Sequence, residues 1–232
     1  MPQFFLTGTD TGVGKTLIAA ALLRAGAQRE LRTIGIKPVA AGCTMMAGEW
    51  VNDDALLLQT TASQSLPYAS VNPVALRLAM APHLAAAEEG RVLQAAPLVA
   101  HCHAIAQHPH ELLIAEGAGG WLVPLNERET LADVATGLGW PVILVVGMRL
   151  GCLNHALLTA AAIRAAGLPL AGWVANSLAP AMPFHDQNVA TLRARLPAPL
   201  LGVVPWLADD GNRLDAAAGH LDLAALLESG HA

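Results

Sequence analysis

Lysine is nearly absent from this chain: of 13 basic residues only Lys15 and Lys37 are lysines, and the rest are arginines. Arginine offers a broad planar fork, lysine a compact point charge on a flexible stem. Two lysines kept against such a background mark positions that need the compact cation. Charge of either sign is also scarce, at 13% against 54% hydrophobic residues, which excludes a disordered chain. A formal charge of −5 and a pI near 5.9 give no electrostatic reason to expect nucleic acid as partner. No apolar run approaches the ~20 residues of a membrane helix; the most apolar one, residues 142–146, is strand-sized. No basic segment followed by an apolar core opens the chain, so no secretory leader is expected. Cysteine is limited to Cys43, Cys102 and Cys152, odd in number and widely spaced. That usage suits a reduced compartment. A cytoplasmic protein with no membrane partner is the expectation.

What is present points to an α/β domain. The 232 residues suffice for one domain with a substantial core. Residues 4–8, 33–39, 112–115, 142–146, 170–175 and 200–204 read as strands, although Pro38 would interrupt a central ladder. Residues 15–28, 53–61, 91–108 and about 154–166 read as helices, with Asn52 available to cap the second and one more helix before the last strand. Strands alternating with helices predict a mostly parallel sheet covered on both faces. No repeat or interdomain linker stands out, so residues 1–232 read as a single unit.

Ligands of open parallel sheets collect beyond the carboxyl ends of the strands. There the sequence places Gly8-Thr9-Asp10-Thr11-Gly12-Val13-Gly14-Lys15-Thr16, then Lys37, then Glu116-Gly117-Ala118-Gly119-Gly120, Asn176 and Pro205-Trp206. Strand, glycine-bearing loop ending Gly-Lys-Thr, then helix is the context of a P-loop nucleoside-triphosphate site. Backbone N–H groups and a helix N-terminus face the phosphates, the lysine reaches the terminal ones, and the threonine hydroxyl meets Mg²⁺. The strict spacing wants glycine where Thr9 stands; Gly8 is one place early. A glycine-rich turn with a surface lysine is the bland alternative. Glu116 is either a solvated strand-end acid or a partner of Mg²⁺, which keeps several waters and takes only one or two carboxylates. Asp53 and Asp54 open a helix, where the dipole favours acids regardless of function; beside a phosphate loop one of them becomes a second metal contact. Lys37 precedes Pro38, where rarity favours function over a surface charge. Asn176 either reads a base edge or caps the following turn. His101, His103, His108 and His110 mix positions that cannot share a helical face, and read as a solvated helix end rather than a metal site.

Together with Lys37-Pro38-Val39, Val71-Asn72-Pro73, Gly151-Cys152-Leu153-Asn154-His155 and Gly172-Trp173-Val174-Ala175-Asn176, these segments closely resemble the dethiobiotin synthetase family, in order from about residue 4 to Trp206. The first loop alone is shared by several ATP-dependent relatives; the combination is specific. The resemblance implies a homodimeric Mg-ATP enzyme that converts 7,8-diaminononanoate and CO₂ to the cyclic urea dethiobiotin, releasing ADP and phosphate. It implies that Lys37 and Lys15 bracket a substrate carbamate and the γ-phosphate, with Thr11 holding the carbamate or a neighbouring amine. Thr16, Asp54 and Glu116 would serve Mg²⁺. Gly12, Val13, Gly14, Lys15 and Thr16 would wrap the phosphates, with Gly117, Ala118 and Gly119 beside them. Asn176, Ser177, Pro205, Trp206 and Leu207 would line the adenine. Ala41 would face the substrate, and Leu150, Gly151 and Asn154 would receive its distant carboxylate, across a dimer interface. The chain departs from some relatives at Gly12, where they carry an acid, and at Ala41, where they carry serine. Residues beyond about Asp209 carry no assignment.

Two other readings share the phosphate loop. Amide-forming ligases acting on larger carboxylates need an ammonia source, for which 232 residues leave no room. ATPase switches of the partitioning or membrane-targeting kind usually carry a second lysine at the start of the loop, where Gly8-Thr9 stands. They also commonly carry an amphipathic tail, whereas this chain ends Glu228-Ser229-Gly230-His231-Ala232.

Overall fold

In the computed structural model, which describes residues 1–208 and 211–229, the first apolar run becomes β1 (Gln3–Gly8) and the phosphate loop leads into α1 (Lys15–Ala27). There follow β2 (Thr33–Ile36), β3 (Val39–Ala41), β4 (Thr44–Met46), β5 (Glu49–Val51), α2 (Asp53–Thr61), α3 (Tyr68–Val71), β6 (Val74–Leu76), α4 (Pro82–Glu88) and α5 (Ala95–Ile105). The second half runs β7 (Leu112–Glu116), α6 (Leu131–Leu138), β8 (Val142–Met148), α7 (Cys152–Ala165), β9 (Leu170–Ser177), α8 (His185–Arg195), β10 (Leu200–Val204), α9 (Arg213–Gly219) and α10 (Leu223–Ser229). Gly230, His231 and Ala232 of the tail, and Asp209, lie outside the described residues.

Six strands form one parallel sheet in the order β10-β9-β8-β1-β7-β2. Both faces are covered, so its strands are continuous apolar runs rather than alternating ones. Phe4, Leu6, Ile114 and Ile143 point to one face and pack with α1, α9 and α10. Phe5, Leu113, Ala115 and Val142 point to the other, against α5 and α6. Further along that face, Leu144, Val146 and Trp173 pack with α7 and α8. Each fully buried Leu or Phe contributes about 1.5–3 kcal/mol, which locks the register that carries the strand-to-helix loops to one edge.

The strand read at 33–39 stops at Ile36. Lys37 turns out of the sheet and gives its N–H to Val71 O at 2.8 Å, and Pro38 has no N–H for a ladder. The chain resumes as β3, which pairs with β6 in a separate two-stranded sheet. The helix read at 91–108 is shorter, Ala95–Ile105, with Pro97 in its first turn, where a missing N–H costs nothing. The helix expected from Asn154 begins two residues earlier, after a left-handed Gly151.

Candidate active site

The carboxyl ends of β1, β2 and β7 come together over a cavity of about 810 Å³. Thr11, Gly12, Gly14, Lys15, Thr16, Lys37, Ala41, Asp54, Glu116, Ala118 and Gly119 line it. Residues from four separate stretches thus share one wall, which the strand order dictates: β1 lies beside β7, and β7 beside β2.

The loop before α1 is shaped by two glycines. Gly12 has φ +73° and Gly14 φ +88°, a region L side chains enter only at a cost of about 1–2 kcal/mol. A Cβ on Gly14 would also stand 2.2 Å from Asn176 Nδ2. No side chain caps α1, so its first N–H groups remain for an anion.

Lys15 is buried and donates to Asp10 O at 3.0 Å. Burial pushes its pKa down to about 8, against the opposing Glu116 carboxylate. Lys37 is buried too and donates to Glu116 Oε1 at 2.7 Å, to Asp54 Oδ2 at 3.0 Å and to Gly117 O at 3.4 Å. Burial works against its charge, but the Glu116 and Asp54 carboxylates outweigh that and hold its pKa above the usual value. For Asp54, burial works to raise the pKa, and the Lys37 ammonium overrides it to hold the carboxyl low. Two ammonium groups and two carboxylates therefore balance inside one cavity. The pairs are not stability devices in themselves, since desolvation consumes much of a buried pair's attraction.

Glu116 is fully buried; its Oε1 accepts from Lys37 and, at 2.9 Å, from Thr16 Oγ1. Its Oε2 is buried with no hydrogen-bond partner. A buried carboxylate oxygen left unpaired is costly, and a hard cation beside it removes the cost. Among the described residues no three His, Cys, Asp or Glu cluster as a metal cage. The oxygen donors that are present, the Glu116 and Asp54 carboxylates and the Thr16 hydroxyl, are of the kind Mg²⁺ takes beside substrate phosphates.

Asn176 and Ser177 end β9, in register with the end of β10, so that Pro205, Trp206 and Leu207 follow alongside them. Asn176 is buried and donates to Val13 O at 2.9 Å, tying that strand end to the phosphate loop. Leu150, Gly151 and Asn154 are exposed and lie outside the cavity. What joins them to it is a pair the sequence reading missed: Arg149 bonds Asp10, a residue of the phosphate loop. The Thr11 N–H foremost, and the Arg149 guanidinium, hold the Asp10 carboxyl low against its burial. These two residues are 139 positions apart, and no local pattern announces their pairing. A larger cleft of about 1010 Å³ opens beyond Pro124, lined by His83, Arg91, Gln94, Asn126 and Arg128 among others. It contains neither lysine, and the convergent chemistry is in the smaller cavity.

A family model described as an AAA domain matches residues 2–213. The ATP-dependent dethiobiotin synthetase BioD of Cellvibrio japonicus is 54% identical over 97% of this chain and 98% of its own length. The protein of the same name from Pseudomonas paraeruginosa is 54% identical with the same coverage. That from Marinobacter nauticus is 46% identical, again over 97% and 98%. Among solved structures, the cell division protein MinD of Aquifex aeolicus superposes with a TM-score of 0.59 at 12% identity, over 100% of this chain and 96% of that one. A ParA family ATPase from Chlorobium tepidum gives 0.52 at 13% identity, over 99% and 97%. These two likenesses establish the fold alone.

Proposed function

The chain belongs to the dethiobiotin synthetase family, whose ATP-dependent ligation it carries out, and we propose how the cavity between Lys15, Lys37 and Glu116 performs it. The observation that carries the reading is the burial of both lysines of the chain in one cavity with two acids. One amine of 7,8-diaminononanoate adds to CO₂ and loses a proton, giving a carbamate. A carbamate oxygen attacks the γ-phosphorus of ATP and ADP leaves, forming a carbamic-phosphoric anhydride. The second amine attacks the carbonyl carbon; phosphate leaves, a proton is lost, and the cyclic urea closes.

Carbamate and triphosphate are both anions, so their approach is the main obstacle. Gly12, Val13 and Gly14 offer backbone N–H groups to the triphosphate, and Lys15 turns from Asp10 O to the phosphates. Lys37 sits at the junction, where phosphate and carbamate oxygens replace its carboxylate partners. Thr11 lines the cavity on the substrate side. Thr16, Asp54 and Glu116 would hold Mg²⁺, which supplies positive charge against the triphosphate. Ala118 and Gly119 line the cavity beside it, with Gly117 buried behind them, and a larger side chain than Ala41 would narrow the diamine end. Asn176, Ser177, Pro205, Trp206 and Leu207 flank the adenine. The test is mass analysis after incubation with labelled bicarbonate, diaminononanoate and Mg-ATP. Labelled dethiobiotin is expected; ADP with no labelled cyclic urea would overturn the reading.

The enzyme acts as a homodimer in this proposal. Leu150, Leu158 and Phe184 are 99%, 61% and 72% exposed at the start and flank of α7 and the start of α8, large apolar side chains of the kind a two-fold partner would cover. Leu150, Gly151 and Asn154 would then meet the substrate carboxylate from that interface. Sedimentation should give a dimer at assay concentration, and an active monomer would contradict it. Residues 1–232 serve as one synthetase unit, with α9 and α10 packed on α1. Three free, buried thiols and ATP as co-substrate support a cytoplasmic setting.

A further inference from the structure

The only tyrosine in the chain, Tyr68, does not line the cavity, yet its hydroxyl joins the two segments that present Lys37 and Asp54. Lys37 has left the sheet, and its backbone is gripped on both sides by the end of α3. Its N–H goes to Val71 O at 2.8 Å, and its carbonyl accepts from Asn72 Nδ2 at 2.6 Å. Asn72 is itself buried and gives Nδ2 to Val74 O as well, at 3.3 Å. Its Oδ1 accepts from the Tyr68 hydroxyl at 3.0 Å, which fixes which way the amide faces.

The same hydroxyl accepts the backbone N–H of Asn52 at 2.8 Å. Asn52 caps α2: its Oδ1 accepts from Asp54 N at 3.1 Å and Ala55 N at 3.4 Å. Asp54 stands in that capped first turn and meets Lys37 Nζ at 3.0 Å. A hydroxyl has one proton to give, and here it is given to Asn72 while a lone pair takes Asn52. The chain of bonds runs from the Lys37 carbonyl through Asn72, Tyr68 and Asn52 to Asp54. Both ends of the Lys37–Asp54 contact are thereby referred to one atom.

We propose that Tyr68 is a positioning residue, its hydroxyl setting the relative placement of Lys37 and Asp54 through Asn72 and Asn52. The proposal rests on the catalytic reading of Lys37. Groups that orient a functional side chain matter because displacements of about 1 Å change rates by up to about 10²-fold. The phosphate loop, which holds most of the nucleotide, lies off this path, so a split between binding and turnover is the signature.

The experiment compares Tyr68→Phe, Lys37→Ala and Gln59→Leu with the parent, at a temperature well below every melting transition. Gln59 ties the same helix to Leu66 O at 2.9 Å away from the cavity, and so controls for general loosening of α2. Tyr68→Phe is expected to lower kcat about tenfold, with the ATP dissociation constant within about twofold of the parent, while Gln59→Leu keeps the parent kcat. Parent kcat in Tyr68→Phe, with Lys37→Ala inactive, overturns the positioning role alone. An equal loss in Gln59→Leu assigns the effect to helix stability and also overturns it. Parent turnover in Lys37→Ala removes the catalytic role of Lys37 and this inference with it.

Discussion

Lys37→Arg is expected to lose most of the turnover, and Lys37→Ala more still. If Lys37 only neutralised charge, arginine would serve. The structure gives a narrower role: Nζ fits among Glu116 Oε1, Asp54 Oδ2 and Gly117 O within 3.4 Å. A guanidinium is wider, and its donors diverge in a plane. It cannot occupy the same point without displacing the Gly117 carbonyl. Removing one preorganised donor from a developing oxyanion typically costs ~10²–10³ in turnover, about 3–4 kcal/mol. ATP affinity should fall far less in either variant than in Lys15→Ala, because Lys15 belongs to the phosphate loop. The check is turnover at saturating ATP and diaminononanoate, with nucleotide titration of all three variants. Parent turnover in Lys37→Ala would make the lysine a structural cation.

Glu116→Gln separates charge from shape. Glutamine keeps the volume, and its carbonyl can still accept from Lys37 and Thr16. What it removes is the second oxygen's negative charge, now buried with no hydrogen-bond partner. If that oxygen serves Mg²⁺, the Mg²⁺ concentration for half-maximal rate should rise at least about tenfold, with turnover down by roughly 10². Stability should also fall, because buried Lys37 keeps only Asp54, whose side chain is 46% exposed, as its charged partner. Losing one member of a fully buried pair costs about 3–5 kcal/mol, and the remaining Asp54 moderates it. Turnover across a MgCl₂ series, with thermal melting of both proteins, measures the two effects separately. An unchanged Mg²⁺ profile would remove Glu116 from the metal site even if melting fell.

Much of this site was legible because its parts are local. A glycine loop after an apolar strand and an acid closing another strand each carry a signal within ten residues, and the composition of the chain singles out Lys15 and Lys37. The sheet rule then places them on one edge. The parts that escaped depend on distance or on weak local codes. Nothing near Asp10 points to Arg149. Tyr68 has no motif; its role appears only once α3 is seen to grip Lys37. The β4–β5 hairpin turns through Ala47 and Gly48, with φ +49° and +89°. The usual Asn-Gly cue is missing there. The sequence reading assigns no helix at α6, although Thr130 and Asp133 form a capping box there, a pattern visible in the sequence. The strand read through Pro38 failed where proline chemistry warned that it would, at the residue that turns Lys37 toward the acids.

The most direct measurement of the central claim is ADP release with each reactant omitted in turn, beside dethiobiotin counted in the same samples. ADP should appear only when diaminononanoate and bicarbonate are both present, and in one-to-one ratio with dethiobiotin. ADP released without either of them, or released faster on adding DNA or lipid, would contradict the account.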